Sequence, residues 1–165
     1  MSLPSWAQVT AERHAHIERV VALLKSWAET MHVDAAEKDR WLRAGWLHDA
    51  LRDAPFKDPF AHGPAAADRA AATGETDRGV LDAIRFHTVG SAEWDDVGRM
   101  LYLADFLEPG RDNDSERERL SRWVPTQRDA VLREVVRRRI DWVLRSGWPL
   151  PAGTVAFWNQ IAGAP

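Results

Sequence analysis

Apolar side chains in this chain recur at intervals of three, four and seven residues, the spacing of one helix face, and nowhere form a convincing strand alternation. A first helix is expected from about Trp6 to Met31, with His16, Val20, Leu23, Leu24 and Trp27 on its inward stripe. Asp34 followed by Glu37 reads as a capping box that opens a second helix through Trp41, Ala44, Gly45, His48 and Leu51, ending near Pro55. Gly63 and Pro64 read as the N-cap and first residue of a short Ala-rich helix to Thr73, with Gly74 as its left-handed terminus. A fourth helix is expected from Asp77 to about His87, carrying Val80 and Ile84 inward. Val97, Leu101, Ala104 and Asp105 mark a fifth, closed by Pro109-Gly110. The charged stretch 111–122 reads as a solvated loop or frayed helix, Thr126–Arg145 as an amphipathic helix with Leu132, Val135, Val136, Ile140 and Val143 inward, and a last short helix closes the chain. The expected class is all-α, a helical bundle.

Length changes this picture little: 165 residues suit one domain over 1–165. With no cysteine, any metal must be held by histidine and carboxylate, without thiolate. No apolar run is long enough for a membrane span, and the N-terminus lacks the pattern of a secretory signal, so no membrane partner and a cytoplasmic location are expected. The net charge of −3 argues against nucleic acid as a partner. That sum hides an asymmetry: residues 1–110 are net acidic and 111–145 net basic. Arginine far outnumbers lysine, and Arg137-Arg138-Arg139 reads as a solvated helix face.

What departs from an ordinary helical protein is a series of inward polar residues: His16, His48, Asp49, His62, His87 and Asp105. Any one of them is unremarkable, since a single inward histidine is usually a satisfied core residue. Several converging inside a small bundle call for an ion, because buried imidazole and carboxylate without partners are costly. The donor types suit Fe(II), Mn(II), Co(II) or Zn(II) better than a calcium cage of oxygens.

In this order the residues resemble the HD-domain metal-dependent phosphohydrolases, and more closely the YqeK family of symmetrical diadenosine tetraphosphate hydrolases. The likeness rests on Arg13-x-x-His16, His48-Asp49, His62-Gly63-Pro64, Ala83 to Gly90, and Ala104 to Arg111. The tail from Gly147 to Thr154, with Asn159, is similar too. Arg52 stands where the family usually has lysine; it keeps the charge and adds a planar fork, but cannot serve as an acid. Ala65-Ala66 replaces the family's usual Val-Gly, with little functional effect expected.

The resemblance implies an HD-domain bundle with the metal site between helices, a metal-site core at about 13–111 and a helical extension at about 124–162. It implies two divalent metals, Fe(II) by preference with Mn(II) or Co(II) as alternatives. One would be held by His16, His48, Asp49 and Asp105, with Asp49 bridging to a second at His62 and His87. A metal-bound hydroxide would then attack phosphorus and split diadenosine tetraphosphate into two ADP. Arg52 and Arg111, with Arg13, would neutralise phosphate charge, and Gly63, His62, Thr88 and Glu108 are further substrate-contact or hydrogen-bonding candidates. On the bland reading, Arg52 and Arg111 merely pair with Asp53 or Glu108. His14 and His32 read as surface residues, the tryptophans as core, with Trp46 or Trp94 as candidates for stacking a base. The same ligand set would also serve a hydrolase of nucleoside mono- or triphosphates, an iron oxygenase, or a non-catalytic nucleotide-binding module. A homodimer stays open.

Overall fold

A computed structural model describes residues 2–110 and 115–163. Seven helices follow in order: α1 (Ala11–Thr30), α2 (Ala35–Leu47), α3 (His62–Ala72), α4 (Arg78–Phe86), α5 (Asp96–Leu107), α6 (Ser115–Arg145) and α7 (Ala152–Ala162). No strand occurs among the described residues, so the all-α expectation holds.

The centre of the bundle is α5, which packs against α1, α2, α4 and α6. Its apolar residues run all round the helix, and its buried residues extend from Val97 to Leu107. Asp105 is the exception in that apolar set. Trp94, Tyr102 and Phe157 meet beside it with ring centroids 5.2–5.7 Å apart, docking α7 onto the core. Gly90, at φ +87°, lets the chain turn past Phe157 where a side chain would collide.

The helix starts follow capping chemistry. Thr10, Asp34, Asp77 and Asp95 each accept a backbone N–H of the first turn they cap. The capping box is only half formed, because the Glu37 carboxylate turns to Trp41 Nε1 and Arg40 instead of reaching back. Arg40 also bonds Asp77 and Asp95, so one guanidinium ties α2 to the starts of α4 and α5. These bonds hold the Asp77 carboxyl below its ordinary range, Arg40 being the main cause. A depressed carboxyl contributes stability that is present above its unfolded value and lost as pH falls through the folded one. Asparagine caps as well as aspartate, so Asp77→Asn isolates the charge. The variant should lose about 1 kcal/mol at pH 7, and the gap to wild type should close as pH falls below the ordinary carboxylate range. Urea unfolding at several pH values checks this; a gap independent of pH would sink it.

Several element boundaries differ from the sequence expectation. α1 starts at Ala11 rather than near Trp6. α2 stops at Leu47, so His48 is its C-cap and Asp49 to Ala54 form successive tight turns instead of a continued helix. These turns are pinned by the N-terminal segment: Gln8 donates to Ala50, and Thr10 holds the Asp53 carboxylate at 2.7 and 2.9 Å. α3 begins at His62 itself, with Gly63 and Pro64 already inside its first turn and Ala61 at the cap. Gly74 has φ +111°, as expected. Residues 115–122, expected as loop or frayed helix, belong to α6, whose Leu120 and Val124 are buried against the core.

α6 is kinked at Gln127, two residues after Pro125. A proline has no N–H to give the carbonyl four residues earlier, and that carbonyl, on Ser121, accepts Trp27 Nε1 at 3.1 Å. The tryptophans are not uniformly core. Trp27, Trp41 and Trp94 are buried, whereas Trp123, Trp142 and Trp148 are exposed. No helix among the described residues is long and apolar enough to cross a membrane.

Candidate functional site

Four histidines and two aspartates converge from the ends and inner faces of five successive segments. His16 comes from α1, His48 and Asp49 from the end of α2, His62 from the start of α3, His87 from the C-cap of α4 and Asp105 from α5. All six are buried. Their ligand atoms form two groups, His16 with His48 and Asp105, and Asp49 with His62 and His87, each within 4.8 Å of one another.

The histidines are oriented alike. Nδ1 of His48 lies 2.8 Å from the Gly45 carbonyl, His62 Nδ1 2.8 Å from Pro59 O, and His87 Nδ1 2.8 Å from Ile84 O. A carbonyl oxygen can only accept, so in each ring Nδ1 carries the proton and donates. His16 Nδ1 likewise donates to Glu108 at 3.0 Å. Nε2 of the neutral rings is thereby left as a lone pair aimed at the centre.

Asp49 stands between the two groups. Its Oδ1 lies 3.3 Å from His62 Nε2 and 3.2 Å from His87 Nε2, and its Oδ2 lies 3.7 and 3.8 Å from His16 and His48 Nε2. One carboxylate thus presents an oxygen to each group. On the other side, Asp105 Oδ1 is 3.2 Å from His16 Nε2 and its Oδ2 accepts from Arg139 at 2.8 Å.

Burial pushes the His48 imidazole down to about 4, so it is neutral at physiological pH. Burial would raise the Asp49 carboxyl, but a second proton held at Nε2 among the His48, His62 and His87 imidazoles outweighs it and holds it well below its usual range. For His16, burial disfavours the charged form, yet Asp105 and Glu108 outweigh it and raise the ring's pKa. Glu108 is held down at about 2: burial alone would raise it, but His16, Arg19 and the Gly110 N–H all donate to it.

The donor set fits a divalent metal on two structural grounds. The Nε2 atom of His48 is fully buried without a hydrogen-bond partner, an arrangement that costs free energy unless something accepts its lone pair. In addition, His62 and His87 bring two Nε2 atoms within 3.1 Å, both rings already using Nδ1 as donor. Two such lone pairs repel unless a cation or an extra proton stands between them. Imidazole and carboxylate without sulfur suit a first-row transition metal.

Gly63 sets the closeness of α3 to α4. A Cβ there would stand 2.9 Å from the Arg85 carbonyl and 3.1 Å from that of Ile84, the carbonyl that orients His87. Gly63→Ala should therefore cost about 1–3 kcal/mol of stability and weaken metal affinity, through movement of His87. Calorimetric unfolding and Mn(II) titration of the same variant check both; unchanged Mn(II) affinity would break the link to His87.

All of the cluster except the fully buried His48 lines the floor of a cleft of about 830 Å³. Arg13 reaches Asp49 Oδ2 at 2.9 Å, and Arg52 and Thr88 line the wall. Arg52 does not pair with Asp53, whose carboxylate is taken by Thr10; it donates to Pro59 O at 3.3 Å beside His62. Glu108 lines the cleft too, with its carboxylate engaged by His16, Arg19 and the Gly110 N–H. Arg111 lies outside the described residues. His14 and His32 are exposed, as expected.

Three departures from the sequence reading concern the walls. Arg139 is not part of a solvated face: its guanidinium covers the Tyr102 ring at 4.5 Å and grips Asp105. Its position was legible, because 139 falls seven residues after Leu132 and four after Val135, on the inward stripe. Arg19 and Arg117 also line the cleft. Trp94 is 5% exposed with its Nε1 donating to Asp82 O, and Trp46 is absent from the lining, so neither is placed to stack a base; Trp142 lines the cleft instead.

No protein-family model matches the chain. It is 28% identical over 107 residues to the symmetrical bis(5'-nucleosyl)-tetraphosphatase of Halalkalibacterium halodurans, a match covering 64% of this chain. That match spans 57% of the relative's own length. Among solved structures the chain resembles one from Clostridium acetobutylicum described as a "predicted HD superfamily hydrolase involved in NAD metabolism", with TM-score 0.80, 22% identity, and coverage of 93% of this chain and 90% of the other.

Proposed function

We propose that this chain is a metal-dependent hydrolase of dinucleoside polyphosphates, a reading supported by its structural likeness to a predicted HD superfamily hydrolase and its sequence similarity to a symmetrical tetraphosphatase. The preferred substrate in this reading is diadenosine tetraphosphate, cleaved at its central anhydride. Water adds to one inner phosphorus, the bridging P–O bond breaks, and two ADP leave. One observation carries the reading: four histidine Nε2 atoms, each aligned by a bond at Nδ1, surround an aspartate whose two oxygens face different metal-ligand groups, at the floor of an arginine-lined cleft.

In this reading His16, His48 and Asp105 hold one divalent metal, His62 and His87 hold the other, and Asp49 joins them. Fe(II) is preferred, and Mn(II) or Co(II) also suit these donors. Bound metal would supply Lewis-acid polarisation of phosphoryl oxygens and activation of water at neutral pH. The protein's own part is positioning and charge. Glu108 keeps His16 in the tautomer that faces inward, and Arg139 occupies the outer oxygen of Asp105 so that the inner one stays aimed at the cluster. Arg13 and Arg52 stand over the floor to meet charge as it spreads over the phosphoryl group in the transition state, with Arg111 in the same role by resemblance. Gly63 supplies close packing more than substrate contact, and Thr88 remains a hydroxyl for the substrate.

The 1–165 chain is read as a single HD domain. The core of about 13–111 carries the ligands, while the extension of about 124–162 closes the cleft through Arg139 and Trp142.

Product analysis tests the reading: the protein is incubated anaerobically with Fe(II) and diadenosine tetraphosphate, beside a His48→Ala control, and resolved by ion exchange. ADP alone, absent in the control, is the expected result. AMP with ATP would overturn the symmetric cleavage. No turnover with Fe(II), Mn(II) or Co(II) would overturn the hydrolase assignment in favour of a binding module.

A further inference from the structure

The outer wall of the cleft carries a feature the hydrolytic reading does not use. Trp142 lines the cleft and is 59% exposed, a costly place for a large apolar ring unless something covers it. It follows Arg139 by three residues on α6, so its Cα stands about 5 Å further along the helix, on the same side as the residue that grips Asp105. Trp148, beyond the end of α6, meets it edge to face, with centroids 5.1 Å apart and planes at 87°. That contact braces the Trp142 ring, which keeps more than half of its surface exposed.

On the floor side of the same wall, Arg139 and Arg117 lie against Phe106, both guanidiniums at the cleft. The wall therefore presents cationic groups near the metal-ligand cluster and then a bare indole further out. A ligand matching that order is anionic where it meets the cluster and flat and aromatic one step away. We propose that Trp142, braced by Trp148, is the platform on which the base of a bound nucleotide stacks. The inference rests on the reading of the cleft as a nucleotide site and adds the residue that tells a nucleotide from a bare polyphosphate.

Stacking of one base on an aromatic side chain contributes enough to change affinity about 10- to 100-fold. The measurement is calorimetric binding of two probes, ADP and pyrophosphate, to the Mn(II)-loaded protein, read as the ratio of their affinities. Wild type should prefer ADP. Trp142→Ala should lower that ratio about 10- to 100-fold, Trp142→Phe should restore most of it, and Trp148→Ala should lower it less. Circular dichroism of each variant separates a lost platform from a lost fold.

A ratio unchanged in Trp142→Ala overturns the proposal, as does a wild type that binds both probes equally. A ratio unchanged while Trp142→Ala shifts the protein from dimer to monomer overturns it in favour of a contact between two copies of the chain. The hydrolase reading fails separately: a Trp142-dependent ratio without turnover of diadenosine tetraphosphate removes the reaction and keeps the platform.

Discussion

Asp49→Ala is expected to lower the proposed turnover of diadenosine tetraphosphate by more than about 10³-fold, equivalent to about 4 kcal/mol of lost transition-state stabilisation. The reason lies in its two oxygens, one 3.2–3.3 Å from the His62 and His87 Nε2 atoms and the other 3.7–3.8 Å from those of His16 and His48. Its removal therefore withdraws negative charge from both groups at once. Asp49→Asn keeps the shape and loses the charge; it should fail to nearly the same extent if charge is what matters. Two further readouts accompany activity. Under the proposed two-metal reading, metal content should fall to at most one equivalent, and the rise in thermal midpoint expected for the wild type with Mn(II) should be absent, because a ligand stabilises only the state that binds it. Activity within tenfold of wild type would remove Asp49 from the centre of the site.

Arg139→Ala should lower both turnover and Mn(II) affinity about 10- to 100-fold, the usual cost of losing a group that orients a metal ligand. Asp105 is 5% exposed, and its Oδ2 takes the Arg139 guanidinium at 2.8 Å while Oδ1 faces His16. Without that partner the carboxylate loses a contact that holds its other oxygen toward His16. Arg139→Lys keeps the charge but loses the planar group that lies over Tyr102, so it should recover only part of the loss. Mn(II) affinity is measured well below the unfolding temperature, where a purely structural defect would not move it. Unchanged affinity in the alanine variant would reduce Arg139 to a packing residue.

The fold and most of the site were legible in the chain because both follow from local rules. Helical periodicity placed His16, His87 and Asp105 on inward faces, and burial of all three follows from it. The motif resemblance assembled the same six residues that the structure brings together. What periodicity misplaced were the segment ends. The second helix stops at Leu47 because the turns that follow bond to Gln8 and Thr10, partners some forty residues away in sequence. His62 opens α3 without a side-chain cap, since packing of Gly63 against the α4 carbonyls governs the entry of that helix.

Side-chain spacing along a helix dictates which residues share a face, and that spacing already marks an all-helical bundle with an inward set of histidines and aspartates. It does not say which oxygen of Asp49 meets which histidines, that Arg139 leaves the solvent for Asp105, or that Trp142 rather than Trp46 or Trp94 borders the cleft. Those are questions of how separate helices cross, and crossing is set by the packing of all the faces together. A charged stripe on α6 reads as solvated until the kink near Pro125 and the position of α5 show which of its arginines has a carboxylate to meet.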